Sequence, residues 1–138
     1  MTTTAKLVYV PPTFVDRLWN WLTPLLAKAC SSSQGELALD EIRAQAVEGE
    51  LSVWIARGDG DHLLAVALVR MEQWSGEIVC RVIAIAGMSM RQWRELQPEF
   101  ERKMMAAGAK RIRFEGRIGW KRVLKDFRME RIVMEKRL

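Results

Sequence analysis

Two spacings of apolar residues take turns along the chain. KLVYV (residues 6–10) is a short β-branched and aromatic run stopped by Pro11-Pro12, which predicts an opening strand. Beyond it, Phe14, Val15, Leu18, Trp19, Leu22, Leu25 and Leu26 recur at steps of three and four, the face of a helix. Pro24 is expected to kink or break that helix, since proline lacks the N–H and clashes with the preceding turn. SSSQG (residues 31–35) reads as a polar loop. In ALDEIRAQAVEGE (residues 38–50), Leu39, Ile42 and Ala46 form the apolar side of a second helix, and Gly49 stands as its C-terminal stop. The spacing then shortens. LSVWIAR (51–57), HLLAVALVRME (62–72) and IVCRVIAIAG (78–87) read as three strands, joined by the turns GDGD (58–61) and QWSGE (73–77).

The helical spacing returns over residues 90–107, with Trp93, Leu96, Phe100, Met104 and Ala107 as the buried stripe and Ser89 as candidate N-cap. Pro98 conflicts with that helix, and Gly108 ends it. KRIRFEG (110–116) predicts a strand, IGWKRVLKDF (118–127) a short helix and RMERIVMEKRL (128–138) a closing strand. Three consecutive strands should form an antiparallel meander. The strand–helix–strand unit after them requires a parallel crossover, expected to be right-handed. The expectation is one α/β domain over 138 residues, with a mixed, mostly antiparallel sheet and helices on both faces.

Composition narrows the picture in three ways. No apolar stretch reaches the roughly 20 residues that cross a bilayer, and the start lacks a basic head followed by an apolar run, so a cytoplasmic protein without membrane contact is expected. Cys30 and Cys80 have no CxxC spacing and only one histidine, His62, accompanies them, so both cysteines are expected as reduced core residues, His62 as solvent-facing, and no metal site. The charge is uneven: residues 101–138 carry 13 Lys/Arg against 5 Asp/Glu, whereas residues 1–100 carry 9 against 12. Lys110, Arg111, Arg113, Arg117, Lys121, Arg122 and Lys125 could contact nucleic acid phosphates, or form a solvated basic face.

Three places carry candidate chemistry. A buried strand that passes through Gly87 into a helix N-terminus is a common anion site, so Gly87, Met88, Ser89, Met90 and Arg91 could cradle a phosphate; equally, the glycine permits a turn and the serine caps a helix. Glu72 and Glu77 flank a turn and could act as general bases if burial raises their pKa, or be ordinary edge charges. Glu115, Arg117 and Trp120 follow the end of a parallel strand, where open α/β sheets hold ligands; an ion pair under an aromatic lid competes there with simple anchoring of the last helix. Of six tryptophans, Trp19, Trp54 and Trp93 fall on core faces, leaving Trp21, Trp74 and Trp120 as candidates for exposure.

The order of elements, with Gly87 joining the fourth strand to the third helix, resembles the GNAT acetyltransferase superfamily. The superfamily's phosphate turn reads Arg/Gln-x-x-Gly-x-Gly/Ala; Ala84, Gly87 and Ser89 stand at those positions, so one of three matches. The segment FEGRIGWKRVLKDFRMERIVMEKRL is similar to GNAT-like proteins encoded by tailed bacteriophages and prophages, through Gly116, Arg117, Gly119 and Trp120. The resemblance implies an acyl-CoA N-acyltransferase fold with a splay between the fourth and fifth strands. It implies acetyl-CoA as cofactor, its pyrophosphate on residues 87–91 and its pantetheine arm along Val82, Ile83, Ala84 and Ile85. A carboxylate among Glu72, Glu77 and Glu115 would deprotonate an amine acceptor. At the position of the superfamily's usual proton-donating tyrosine stands Arg122, whose guanidinium keeps its proton near neutral pH. The alternative that follows is a protein of the same fold without the chemistry, binding a phage or host protein in the bacterial cytoplasm or the virion.

Overall fold

The computed structural model describes residues 5–33, 35–87, 90–115, 126–128 and 134–138, with Met90 and Arg91 described for backbone only. In chain order these form β1 (Lys6–Val10), α1 (Pro12–Ser32), α2 (Leu39–Glu48), β2 (Ser52–Arg57), β3 (Leu63–Trp74), β4 (Glu77–Ala86), α3 (Met90–Ala106) and β5 (Ala109–Phe114). The five strands make one sheet in the order β1-β2-β3-β4-β5. The first three pairings are antiparallel, and β4 pairs β5 in parallel across α3. The expected mixed α/β sheet is therefore what this sequence builds.

Each face of the sheet buries its own apolar set. Leu22, Leu26 and Val15 of α1, with Ile42 and Ala46 of α2, pack on Val53, Ile55, Val66 and Leu68. On the other face, Trp93, Leu96, Phe100 and Met104 of α3 pack on Trp54, Ala67, Cys80 and Val82. Burying each large side chain contributes about 1.5–3 kcal/mol. That sum explains why the prolines do not end their helices. α1 and α3 run through Pro24 and Pro98, because the apolar stripes on both sides of each proline outweigh a cost of about 3 kcal/mol.

Two boundaries move relative to the sequence reading and a third holds. α1 extends through Ser32, where Ser31 and Ser32 donate their hydroxyls to the Lys28 carbonyl, so the expected loop loses its first two residues. The second hairpin turn shrinks to Ser75-Gly76, both at positive φ (47° and 88°) between Trp74 and Glu77, the conformation that fits a two-residue hairpin. Gly49 does stop α2, in the left-handed conformation at φ 83°. The expected short helix at 118–127 lies outside the described residues except for Asp126 and Phe127. In the last segment, Arg128 and residues 134–138 have no regular structure, and residues 129–133 lie outside the description.

Cys80 is fully buried, with burial pushing its thiol up to about 12, whereas Cys30 is only half-buried; both are free thiols. His62 is exposed, as expected. Trp54 and Trp93 are core residues, while Trp19 is half-buried beneath the Arg43 guanidinium.

Candidate functional site

β4 changes both of its neighbours at the same point. Toward β3, Val82 faces Val69 and Ala84 faces Leu68, so Ile83 is an extra residue without a partner, a β-bulge. Toward β5, pairing runs from Ile78 to Val82 and ends there, with the Glu115 N–H donating to the Val82 carbonyl at 3.3 Å. Beyond this rung, Ile83, Ala84, Ile85 and Ala86 keep β3 on one side. On the other side they have no strand among the described residues. Among the described residues the β4–β5 pairing thus ends at the carboxyl ends of its strands, and this end, the candidate opening, is the location where open α/β sheets take ligands. α3 starts three residues after Gly87, so its unpaired N–H groups stand at the same end.

The candidate cofactor residues divide accordingly. Val82 is the apex of the opening, already paired with Phe114. Ile83, Ala84 and Ile85 are half-buried and have no partner strand on the β5 side among the described residues. A strand edge of this kind presents backbone amide and carbonyl groups of the type that an amide-rich chain such as the pantetheine arm can pair with. Gly87 has a duty independent of any ligand: its φ is 103°, and an added Cβ would lie 2.5 Å from the Leu64 carbonyl oxygen and 2.9 Å from Leu25 Cδ1. The close approach of α1 to β3 thus requires glycine. Met90 and Arg91 open α3; Met88, Ser89, Arg117 and Trp120 lie outside the described residues.

The three candidate carboxylates are not brought together at the opening. Glu77 begins β4, about 30 Å along the strand from Gly87, and pairs with Arg111 at 2.6 Å. Glu72 lies opposite Val79. Its carboxylate accepts the Trp74 indole N–H at 2.8 Å and an Arg81 N–H at 2.6 Å. These contacts, the Trp74 hydrogen bond foremost, hold its pKa below the usual carboxylate value. The raised pKa expected of a general base is therefore corrected for Glu72: donors to the ionised form outweigh its desolvation. Glu115 alone follows the apex. Arg81 grips it through Nε, 2.7 Å from Oε1, and through Nη2.

These residues belong to one charged platform on the sheet face that α1 and α2 partly cover. Trp74 lies under two guanidinia, with Arg113 Cζ 4.9 Å and Arg111 Cζ 5.2 Å from its ring centre. Arg81 bridges Glu72 and Glu115, and both partners raise its pKa against the opposing effect of its own desolvation. Sequence reading missed Arg70, Arg81 and Trp74 as one set, because only the pairing register places them side by side. Alternation within each strand could have shown that Arg70, Glu72 and Trp74 share a face.

Two further features lie elsewhere. Tyr9, the only tyrosine in the chain, packs against Trp54 on β1, three strands away from β4, so no tyrosine stands at the opening. An apolar groove of about 480 Å³ lies along α1 and the β1 edge, between Val8, Phe14, Leu18, Trp21 and Ile55. Among the described residues no group of histidine, cysteine and carboxylate side chains is placed to hold a metal, and no helix is long and apolar enough to cross a membrane.

No family model matches the sequence, and no curated protein matches it. Solved structures do match its fold. An aminoglycoside acetyltransferase from an uncultured soil metagenomic sample, in complex with sisomicin, aligns with TM-score 0.70 at 7% identity over 97% of this chain and 96% of its own. The ribosomal-protein-alanine N-acetyltransferase of Brucella melitensis biovar Abortus 2308 gives 0.68 at 12% identity over 98% and 99%. Glucosamine-6-phosphate N-acetyltransferase from Arabidopsis thaliana gives 0.65 at 11% over 97% and 98%. The chain has the fold of the GNAT acetyltransferases.

Proposed function

We propose that this chain is an acyl-CoA-dependent N-acyltransferase-like protein, of the divergent kind that tailed phages and prophages encode, with a degenerate phosphate turn. The observation that supports it most is that, among the described residues, Ile83, Ala84 and Ile85 have no partner strand on the β5 side, at the same end of β4 as the N-terminus of α3. Acetyl-CoA suits the described backbone here: the strand edge would pair with the pantetheine amides and the α3 N–H groups would hold the pyrophosphate, with Arg91 as the charge that the sequence places at the start of α3. Bound there, acetyl-CoA supplies the thioester carbonyl that an acceptor amine attacks. The protein's part is to orient that amine and receive its proton, and Glu115, held by Arg81 beside the apex, is the carboxylate nearest the opening along the chain. The phage assignment is supported by the Gly116-Arg117-x-Gly119-Trp120 stretch alone.

Calorimetry with acetyl-CoA tests the reading. Binding at micromolar to millimolar ligand is expected, and silence at millimolar concentration, where sites of about −4 kcal/mol register, would end it.

The steric role of Gly87 and the low pKa of Glu72 support a second reading. In it the fold is kept without catalysis, as a partner for a phage or host protein in the cytoplasm or virion, or for nucleic acid through the basic C-terminal third. Intact acetyl-CoA binding with no acyl transfer to any amine would favour it.

A further inference from the structure

One row of the sheet is made of arginine. Arg70 of β3 lies directly opposite Arg81 of β4, and Arg81 lies directly beside Arg113 of β5. Residues opposite one another on neighbouring strands point to the same face, so three guanidinia project side by side at strand spacing of about 4.8 Å. Like charges so placed repel, and such a row persists only if its environment compensates it. The compensation here is unequal. Both carboxylates, Glu72 and Glu115, go to the central Arg81 and occupy Nη1, Nε and Nη2. The flanking arginines receive neutral partners. Arg70 donates to the Gln45 side-chain oxygen at 2.7 Å, and Arg113 stacks over Trp74. Among the described residues neither has a carboxylate within ion-pair distance.

A guanidinium stacked on a ring keeps its N–H donors in its own plane, free for an anion. Arg70 likewise keeps donors beyond the one given to Gln45. Both residues are half-buried, so an anion held there would be partly shielded from water while its site stays open to solvent. The row lies one residue before the apex at Val82, about 7–13 Å along β4 from Ile83 and Ile85.

Resting on the acyltransferase reading, we propose that the acceptor is a small amine that also carries an anionic group, a phosphate or a carboxylate. Arg113 and Arg70 bind that group on the α1/α2 side of the sheet and direct the amine toward the opening between β4 and β5.

The test uses the full chain and calorimetry with matched pairs: glucosamine 6-phosphate against glucosamine, and 6-aminohexanoate against hexylamine. At least one anionic member should bind at least tenfold more tightly than its neutral counterpart, and the pair that responds distinguishes phosphate from carboxylate. Inorganic phosphate should compete. Arg113→Gln and Arg70→Gln should each weaken the anionic member about tenfold without changing the neutral one, while Arg113→Lys, which keeps the charge but loses the planar stack on Trp74, should weaken it less than Arg113→Gln does. Melting curves identify any variant that fails to fold, and the lysine variant then carries the comparison. Equal binding within both pairs, or undiminished binding in the folded Arg70→Gln/Arg113→Gln double variant, overturns the proposal. So does binding of a single-stranded oligonucleotide with no response to the small anions. Arginine-dependent binding of the anionic amines without any acetyl-CoA binding would leave the anion site standing and remove the acyltransferase reading. The reverse pattern would remove the anion site alone.

Discussion

Arg81 and Glu115 meet at the last paired rung of β4 and β5, where the Arg81 Nε lies 2.7 Å from Glu115 Oε1 and the next residue of β4, Val82, accepts the Glu115 backbone N–H. One ion pair and one backbone bond thereby hold the last described contacts between the two strands. Arg81→Gln should lose about 1 kcal/mol of stability in urea denaturation, a modest figure because the side chains on both sides are partly solvated. Combined with Glu115→Gln, the losses should be less than additive. Strict additivity would mean that the pair contributes nothing to closing the rung.

Glu72 makes stability depend on pH. Its folded-state pKa lies below the ordinary value of 4.5, so its contribution is present above the unfolded pKa and lost as pH falls through the folded one. The melting-temperature gap between wild type and Glu72→Gln should therefore be widest above about pH 5 and close in acid. Trp74→Phe removes the hydrogen bond that lowers this pKa most, so the Glu72 titration followed by NMR should move upward. An unchanged titration in Trp74→Phe would assign the shift to Arg81 instead.

At Gly87 any side chain must adopt positive φ and displace the Leu64 carbonyl or Leu25. Gly87→Ala should cost at least about 2 kcal/mol. A cost below about 0.5 kcal/mol would show that α1 yields easily there, and Gly87 would then be free to serve a ligand.

The legible part of this structure was the part that local periodicity controls. β1 was read to the residue, the two glycine stops of α2 and α3 were in place, and the meander followed from three β-rich runs with short turns. At Pro24 the expected break does not occur, and the helix read through Pro98 forms, because helix faces rich in Leu, Trp and Phe bury too much surface to end at a proline. The platform was illegible for a different reason. Arg70, Arg81 and Arg113 are 11 and 32 residues apart, and only the register of two strand pairings, one set by the tight Ser75-Gly76 turn and the other shifted between Ile78 and Val79, makes them neighbours. Glu72 and Glu77 were singled out for flanking a turn, but the turn lies at the opposite end of β4 from the opening.

That last point separates the candidate bases. Glu77 is tied to Arg111 at the hairpin end of β4, so Glu77→Gln should leave the rate of acetyl transfer within about twofold of wild type. Glu115 follows the apex directly, and if its carboxylate takes the amine proton, directly or through one water, Glu115→Gln should lower kcat by about 10²-fold. The same variant keeps the backbone bond to Val82, so its melting temperature should change far less than its rate. The measurement is single-turnover transfer from acetyl-CoA to an amine, with both variants checked for acetyl-CoA affinity. Equal rates in wild type and Glu115→Gln would leave Glu115 only its structural work with Arg81. A loss confined to Glu77→Gln would place the chemistry at the hairpin end of the sheet, away from the gap between β4 and β5.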